Sequence, residues 1–323
     1  MKKHIKAYWV ILIAFVVSLV PNLSTKASQV TSYTYTVNED GYITRTQDAY
    51  LPDRTITDLR LSSPDDLYID QNNMLYIADS GNRRIVKFDI TKGTVDRILE
   101  YEGFLNPKGV FVTKDGYIYV ADPSAKQIFR FDKEMNFVEA FQKPDTPNFV
   151  DTPFEPLRVA VDNSNNMYIV GEGVYNGIIQ LAYTGEFLGY FTVNQTKLSL
   201  VQTIQNALFT REQLANLADK VPTTFSNIFI DASGIVYTTT MGTTDDGLKK
   251  HNTAGGNMFR NPVWSSDSLT DVYVDEQGII YTSIYDGSIM IYSAAGEVIF
   301  QFGSNSANLD ISGLFSVLPS VAV

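Results

Sequence analysis

The sequence predicts an all-β chain folded as a six-bladed β-propeller. It has five full blades, a sixth incomplete blade shared between the termini, and a small helical insertion. Three observations predict this. A unit of apolar strand, polar turn and tyrosine-bearing strand recurs from Pro64, Pro107, Pro156, Phe225 and Leu269. In every copy the turn residue and the tyrosine lie six apart: Asp70 and Tyr76, Thr113 and Tyr119, Asp162 and Tyr168, Asp231 and Tyr237, Asp275 and Tyr281. Both sides of the strands are apolar, as in Leu67-Tyr68-Ile69, so each sheet needs cover on both faces. A small antiparallel sheet cannot cover itself, and radial packing of neighbours supplies the missing contacts.

The composition allows such a core. The 323 residues are 44% hydrophobic and 12% aromatic, without cysteine, so packing must hold the fold without cross-links or thiolate sites. The net charge of −11 and the lack of a basic stripe beyond the N-terminus make nucleic acid an unsuitable partner.

Taken from the N-terminus, residues 1–27 read as a secretory signal. Lys2, Lys3 and Lys6 precede an apolar run of about a dozen residues, and Ala27 offers a small residue for cleavage. The run is short for a membrane span, and loss of four lysines would take the net charge from −11 to −15. The expected location is outside the cell or on the outer face of its membrane. Residues 28–323 then form the propeller domain. Residues 33–46 read as a hairpin resembling the outer strands of a blade.

The first copy runs from Pro64 to Asp89 and the second from Pro107 to Asp132, with Gly116 in a tight turn. The third starts at Pro156 and the fourth at Phe225, an interval of 69 residues against 43, 49 and 44 elsewhere. The excess holds the insertion, about 197–222. Leu198, Val201, Ile204 and Leu208 follow a helical stripe, and Thr210 to Gln213 fits a capping box before Leu214, Leu217 and Val221. Leu198, Val201, Leu208, Leu214 and Leu217 are the candidate partner-binding positions. The fifth copy starts at Leu269. Leu318 to Val323 resembles the first strand of a sixth, which lacks its tyrosine strand as a fragment of a longer, membrane-anchored protein would.

Tyr76-Ile-Ala-Asp-Ser-Gly-Asn-Arg-Arg-Ile85 resembles the core of the NHL repeat, Pro107-Lys-Gly-Val110 its entry motif, and Tyr119-Val-Ala-Asp122 its second strand. The later copies keep the strands but lose the Ala-Asp-x-Gly-Asn-x-Arg stretch. The resemblance implies a propeller, commonly of six blades, that binds partners and has no single chemistry. The insertion resembles one in exported NHL-type proteins of Gram-positive bacteria, which implies an association with membrane transport systems.

Catalytic signatures are sparse. His4 and His251 are the only histidines, which excludes a three-histidine zinc site and the amidating-lyase chemistry of a related propeller. His251 follows two lysines and reads as a solvated side chain. No nucleophile elbow, phosphate loop or calcium-loop spacing is present. One position recurs just before the first apolar residue of each inner strand: Asp66, Gly109, Arg158, Asn227, Asp271 and Ser320. These should converge at the channel mouth, where Asp66, Arg158, Asn227 and Asp271 are the candidate ligand-binding residues. Asp66, Asn227 and Asp271 would also suit calcium or another divalent metal, as in the gluconolactonase family, whose motifs are otherwise absent. Tyr175, Tyr183 and Tyr285 suit sugar rings or peptides, although blade packing is the commoner use of such residues.

The sequence therefore reads as a monomeric extracytoplasmic binding or scaffolding module for a protein or a small carbohydrate-like ligand, without a cofactor. The alternatives are a metal-dependent lactonase-like hydrolase and a structural domain of a membrane-anchored protein.

Overall fold

The computed structural model describes residues 34–37, 42–50, 53, 55–192, 224–243, 246–303 and 315–323. The signal segment and the insertion, with Leu198, Val201, Leu208, Leu214 and Leu217, lie outside the described residues. No helix among the described residues is long and apolar enough to cross a membrane.

The repeats fold as expected, each into an antiparallel sheet built from consecutive strands. A short hairpin, β1 (Thr34–Val37) and β2 (Ile43–Thr46), comes first. The first blade is β3 (Pro64–Ile69), β4 (Met74–Asp79), β5 (Arg84–Asp89) and β6 (Thr94–Glu100). The second is β7 (Gly109–Val112), β8 (Ile118–Asp122), β9 (Gln127–Phe131) and β10 (Phe137–Phe141). The third is β11 (Pro156–Val161), β12 (Met167–Gly171), β13 (Ile179–Leu181) and β14 (Phe187–Tyr190). The fourth has β15 (Phe225–Ile230), β16 (Val236–Thr240) and β17 (Leu248–His251). The fifth is β18 (Leu269–Val274), β19 (Ile280–Ile284), β20 (Ser288–Tyr292) and β21 (Val298–Gly303).

Packing is radial. The first strands touch in succession, β3 with β7, β7 with β11, β11 with β15 and β15 with β18. The apolar core lies between sheets. One cluster joins Tyr76, Ile85 and Leu99 of the first blade to Val110, Ile118 and Phe131 of the second. Another joins Tyr237 and Leu248 of the fourth to Val272, Ile280 and Tyr292 of the fifth. The chain is therefore an all-β propeller.

Six blades are not formed. The described residues make five sheets, and the N-terminal hairpin adds to the fifth: β1 pairs with β21 through Tyr35 and Gln301, giving the order β18-β19-β20-β21-β1-β2. The hairpin has its own apolar anchor there. The Thr36 hydroxyl donates to the Ile299 carbonyl at 2.8 Å, and Tyr50 packs on Phe302 with ring centroids 4.9 Å apart. Pairing with a free strand edge satisfies backbone groups that a separate two-stranded blade would leave open. Among the described residues, the sixth position of the inner ring is filled by residues 318–323. The Thr270 hydroxyl donates to the Leu318 carbonyl at 2.8 Å, and the Leu67 amide donates to the Ser320 hydroxyl at 3.0 Å. This segment bridges the fifth and first blades.

The six-residue spacing has a direct cause. Asp70 accepts the amides of Asn72 and Met74 and the Tyr76 hydroxyl. Asp162, Asp231 and Asp275 repeat this, taking the hydroxyls of Tyr168, Tyr237 and Tyr281 at 3.2–3.4 Å. Each carboxylate folds the turn and anchors the returning strand. Thr113 replaces it in the second copy and accepts the Tyr117 amide.

Candidate functional site

The six positions singled out at the inner strands do meet. Asp66 on β3, Asn227 on β15, Asp271 on β18 and Ser320 are buried, and Arg158 on β11 has a side chain only 11% exposed. They stand in the interior of the axis rather than at an open mouth. Two residues further along the same strands, Tyr68 packs on Phe111 and Phe229 on Tyr273, each with ring centroids 4.9 Å apart. These rings share with the polar groups an axial cavity of only about 20 Å³, enough for roughly one water.

The polar groups form a connected knot. The Val110 amide donates to Asp66 at 2.9 Å. Asp271 accepts the amides of Val272 and Val321 at 2.7 and 2.9 Å, the Asn227 amide group, and the Ser320 hydroxyl. Arg158 reaches across three blades. Its Nη1 donates to the Lys108 carbonyl at 2.7 Å and its Nη2 to the Asp65 carbonyl at 2.9 Å, while its Nε lies 3.7 Å from Asp66. Gly109 makes this approach possible, because a Cβ there would lie 2.6 Å from the Leu157 carbonyl. Burial raises the carboxyls of both Asp66 and Asp271. Desolvation and then the neighbouring Asp66 charge push Asp271 up to about 7.

This donor set does not fit a divalent metal. The carboxylate oxygens of Asp66 and Asp271 are taken by backbone amides, Ser320 and Asn227, and the positive charge beside them is the Arg158 guanidinium. No group of three or more carboxylate or imidazole side chains suited to a metal occurs among the described residues. The knot holds six inner positions together, and its chemistry is cohesive.

His251 is buried, not solvated. Its Nε2 lies 2.9 Å from the Thr238 hydroxyl and its Nδ1 lies 3.0 Å from the Gly255 carbonyl, with Phe191 edge-on to the ring. The carbonyl can only accept, so Nδ1 carries the proton and Nε2 accepts from Thr238. Desolvation lowers its pKa to about 4. The signal for this was in the repeat. His251 pairs with Val236 where Phe88 pairs with Leu75, Phe131 with Ile118 and Tyr292 with Ile280, all core positions. A cleft of about 560 Å³ lies beside it, lined in part by Phe191, Lys249, Asn257, Phe259 and Arg260.

Asp79 and Asp122, the acidic residues of the NHL-like stretches, are fully buried and act as loop clamps. Asp79 accepts the Ser62 amide at 2.7 Å, Asn82 at 2.8 Å and Arg84 Nε at 2.6 Å. Gly81 presses on the same segment, where a Cβ would sit 2.7 Å from the Ser62 carbonyl. Asp122 accepts the amides of Leu105, Asn106 and Ala125 at 2.8, 2.8 and 2.9 Å. Tyr175, Tyr183 and Tyr285, suited to a ligand and, more commonly, to blade packing, are 48%, 59% and 53% exposed.

No protein-family model matches the chain, and no curated protein matches it. Among solved structures, a hydrazine synthase of Kuenenia stuttgartiensis matches at 14% identity over 82% of this chain and 72% of its own, with a TM-score of 0.49. A virginiamycin B lyase from Staphylococcus aureus matches at 11% identity over 84% and 77%, with a TM-score of 0.48. A streptogramin B lyase matches at 10% identity over 90% and 80%, with a TM-score of 0.49.

Proposed function

We propose that this chain is an extracytoplasmic binding module of the NHL type, presenting one end of its propeller to a protein or carbohydrate-like ligand. The observation that carries this reading is a set of exposed apolar side chains gathered at one end of the propeller. One end holds the tight turns after the first and third strands, those after the first strands being led by Asp70, Thr113, Asp162, Asp231 and Asp275. The other holds the longer entry loops and the connections between second and third strands. Leu105, Val150, Tyr175, Met241, Trp264, Tyr285, Phe315 and Val317 all sit at this second end, each more than a third exposed. Large aromatic faces on a rigid scaffold are the usual anchors of recognition. The acidic groups and the imidazole described above are already committed to internal hydrogen bonds, which supports binding over catalysis. Export rests on the basic head and apolar run of residues 1–27.

Arrays of oligosaccharides and of extended peptides test the reading. Retention of one ligand class is expected, lost at least tenfold when Trp264 and Tyr285 are both changed to alanine and unchanged in Tyr183→Ala at the opposite end. Loss of equal size in Tyr183→Ala, or binding indifferent to all three, would overturn it.

A further inference from the structure

We infer that Asp66 and Asp271 share one proton through the Ser320 hydroxyl, so that residues 318–323 form a clasp between the first and fifth blades that holds with that proton in place and loosens when it leaves. The geometry carries the argument. Ser320 is buried between the two carboxylates, hydrogen-bonded to Asp271 and 3.4 Å from Asp66, and it also accepts the Leu67 amide. A hydroxyl has one proton to give and two lone pairs to fill. With both carboxylates charged, it can serve only one of them. With Asp271 protonated, the carboxyl donates to Ser320, the Ser320 hydroxyl turns to Asp66, and the Leu67 amide keeps its acceptor. Every donor at Ser320 then has a partner.

The charge balance points the same way. The ionisable groups lining this cavity are Asp66 on β3, Arg158 on β11, Asp271 on β18, and Tyr68 and Tyr273, whose hydroxyls burial pushes up and keeps neutral. Lys108 lies outside it, 3.8 Å from Asp65. One guanidinium against two carboxylates leaves a net negative charge inside the protein, and one shared proton removes it. Asn227 and the Val321 amide only donate to Asp271 and cannot neutralise it. The sign follows from linkage. A carboxyl raised above its unfolded value favours the folded clasp in acid, and that contribution is lost as pH rises through about 7.

Hydrogen exchange of the full chain at pH 5.5 and 8.5, corrected for the intrinsic pH effect, tests this. The Leu67 and Val321 amides should open at least tenfold more readily at pH 8.5, with the Val120 amide of the second blade unchanged. Asp271→Asn should flatten that difference. An infrared carbonyl stretch of a buried protonated carboxyl should be present in the unmodified protein at pH 5.5 and absent at pH 8.5, which keeps the test sharp if the variant does not fold. Equal protection of Leu67 and Val321 at both pH values, a pH response that survives in folded Asp271→Asn, or no protonated band at pH 5.5 would overturn the inference.

Discussion

The first two blades and the last three finish their second strands in different ways. Three residues after the recurring tyrosine stand Asp79 and Asp122 in the first two, but Gly171, Thr240 and Ile284 in the others. The aspartates are buried clamps that gather backbone amides from the loop entering the blade. In the third blade a glycine at this point avoids a clash, since a Cβ on Gly171 would lie 2.7 Å from Val174. In the fifth, Ile284 is simply core. In the fourth, Thr240 is buried and its amide donates to the Gly247 carbonyl at 2.8 Å. The same backbone unit is thus closed by charge, by close contact, by apolar packing or by a backbone hydrogen bond. The NHL-like acidic stretch is one structural solution among these rather than a mark of chemistry.

This contrast can be broken at its strongest point first. Asp79→Ala strands Arg84 and the Ser62 amide, and should cost about 3–5 kcal/mol in urea unfolding, as expected for removing one partner of a buried ion pair. Ile284→Val, at the equivalent position of the fifth blade, should cost only about 1 kcal/mol. Equal losses would show that the clamp adds nothing beyond burial.

At the other end of the fourth blade, the buried His251 imidazole that bridges Thr238 and Gly255 predicts a pH dependence. The folded His251 pKa, about 4, lies below its unfolded value of 6.5, so its contribution is present above pH 6.5 and lost as pH falls toward 4. The full loss is on the order of 3 kcal/mol. Asp271 acts in the opposite sense over an overlapping range, so the wild-type profile should look flatter than either group alone would make it. Thermal unfolding of His251→Gln between pH 4 and 7 should show stability falling as pH rises. A profile identical to wild type would refute this assignment.

A smaller effect is expected in the turns. Asp231→Ala removes an acceptor of the Ser233 and Ile235 amides and should cost about 1–2 kcal/mol. Tyr237→Phe loses only the hydroxyl contact and should cost about 0.5–1 kcal/mol. A larger loss in Tyr237→Phe than in Asp231→Ala would invert the roles given to the pair.

Strand order, blade boundaries and the inner polar positions were legible because they repeat. A period shared by five copies averages out local ambiguity, and it places Asp66, Arg158, Asn227, Asp271 and Ser320 at one level of the ring. The burial of His251 was also present in that register, but two preceding lysines made the local sequence look solvated. Blade number was not legible. A hairpin such as β1–β2 carries the same alternation whether it starts a new sheet or extends an old one, and only the free edge of β21 decided between them.

Local sequence determined the units: turn carboxylates, tyrosine strands and the apolar faces that oblige sheets to stack. Those depend on neighbours a few residues apart, so they can be read in line. Tertiary structure alone decided how the ring closes, that its axis is filled rather than open, and that two carboxylates distant in sequence face one hydroxyl at 320. Such outcomes depend on which surfaces meet after the chain has turned through five blades, and no local pattern encodes that sum.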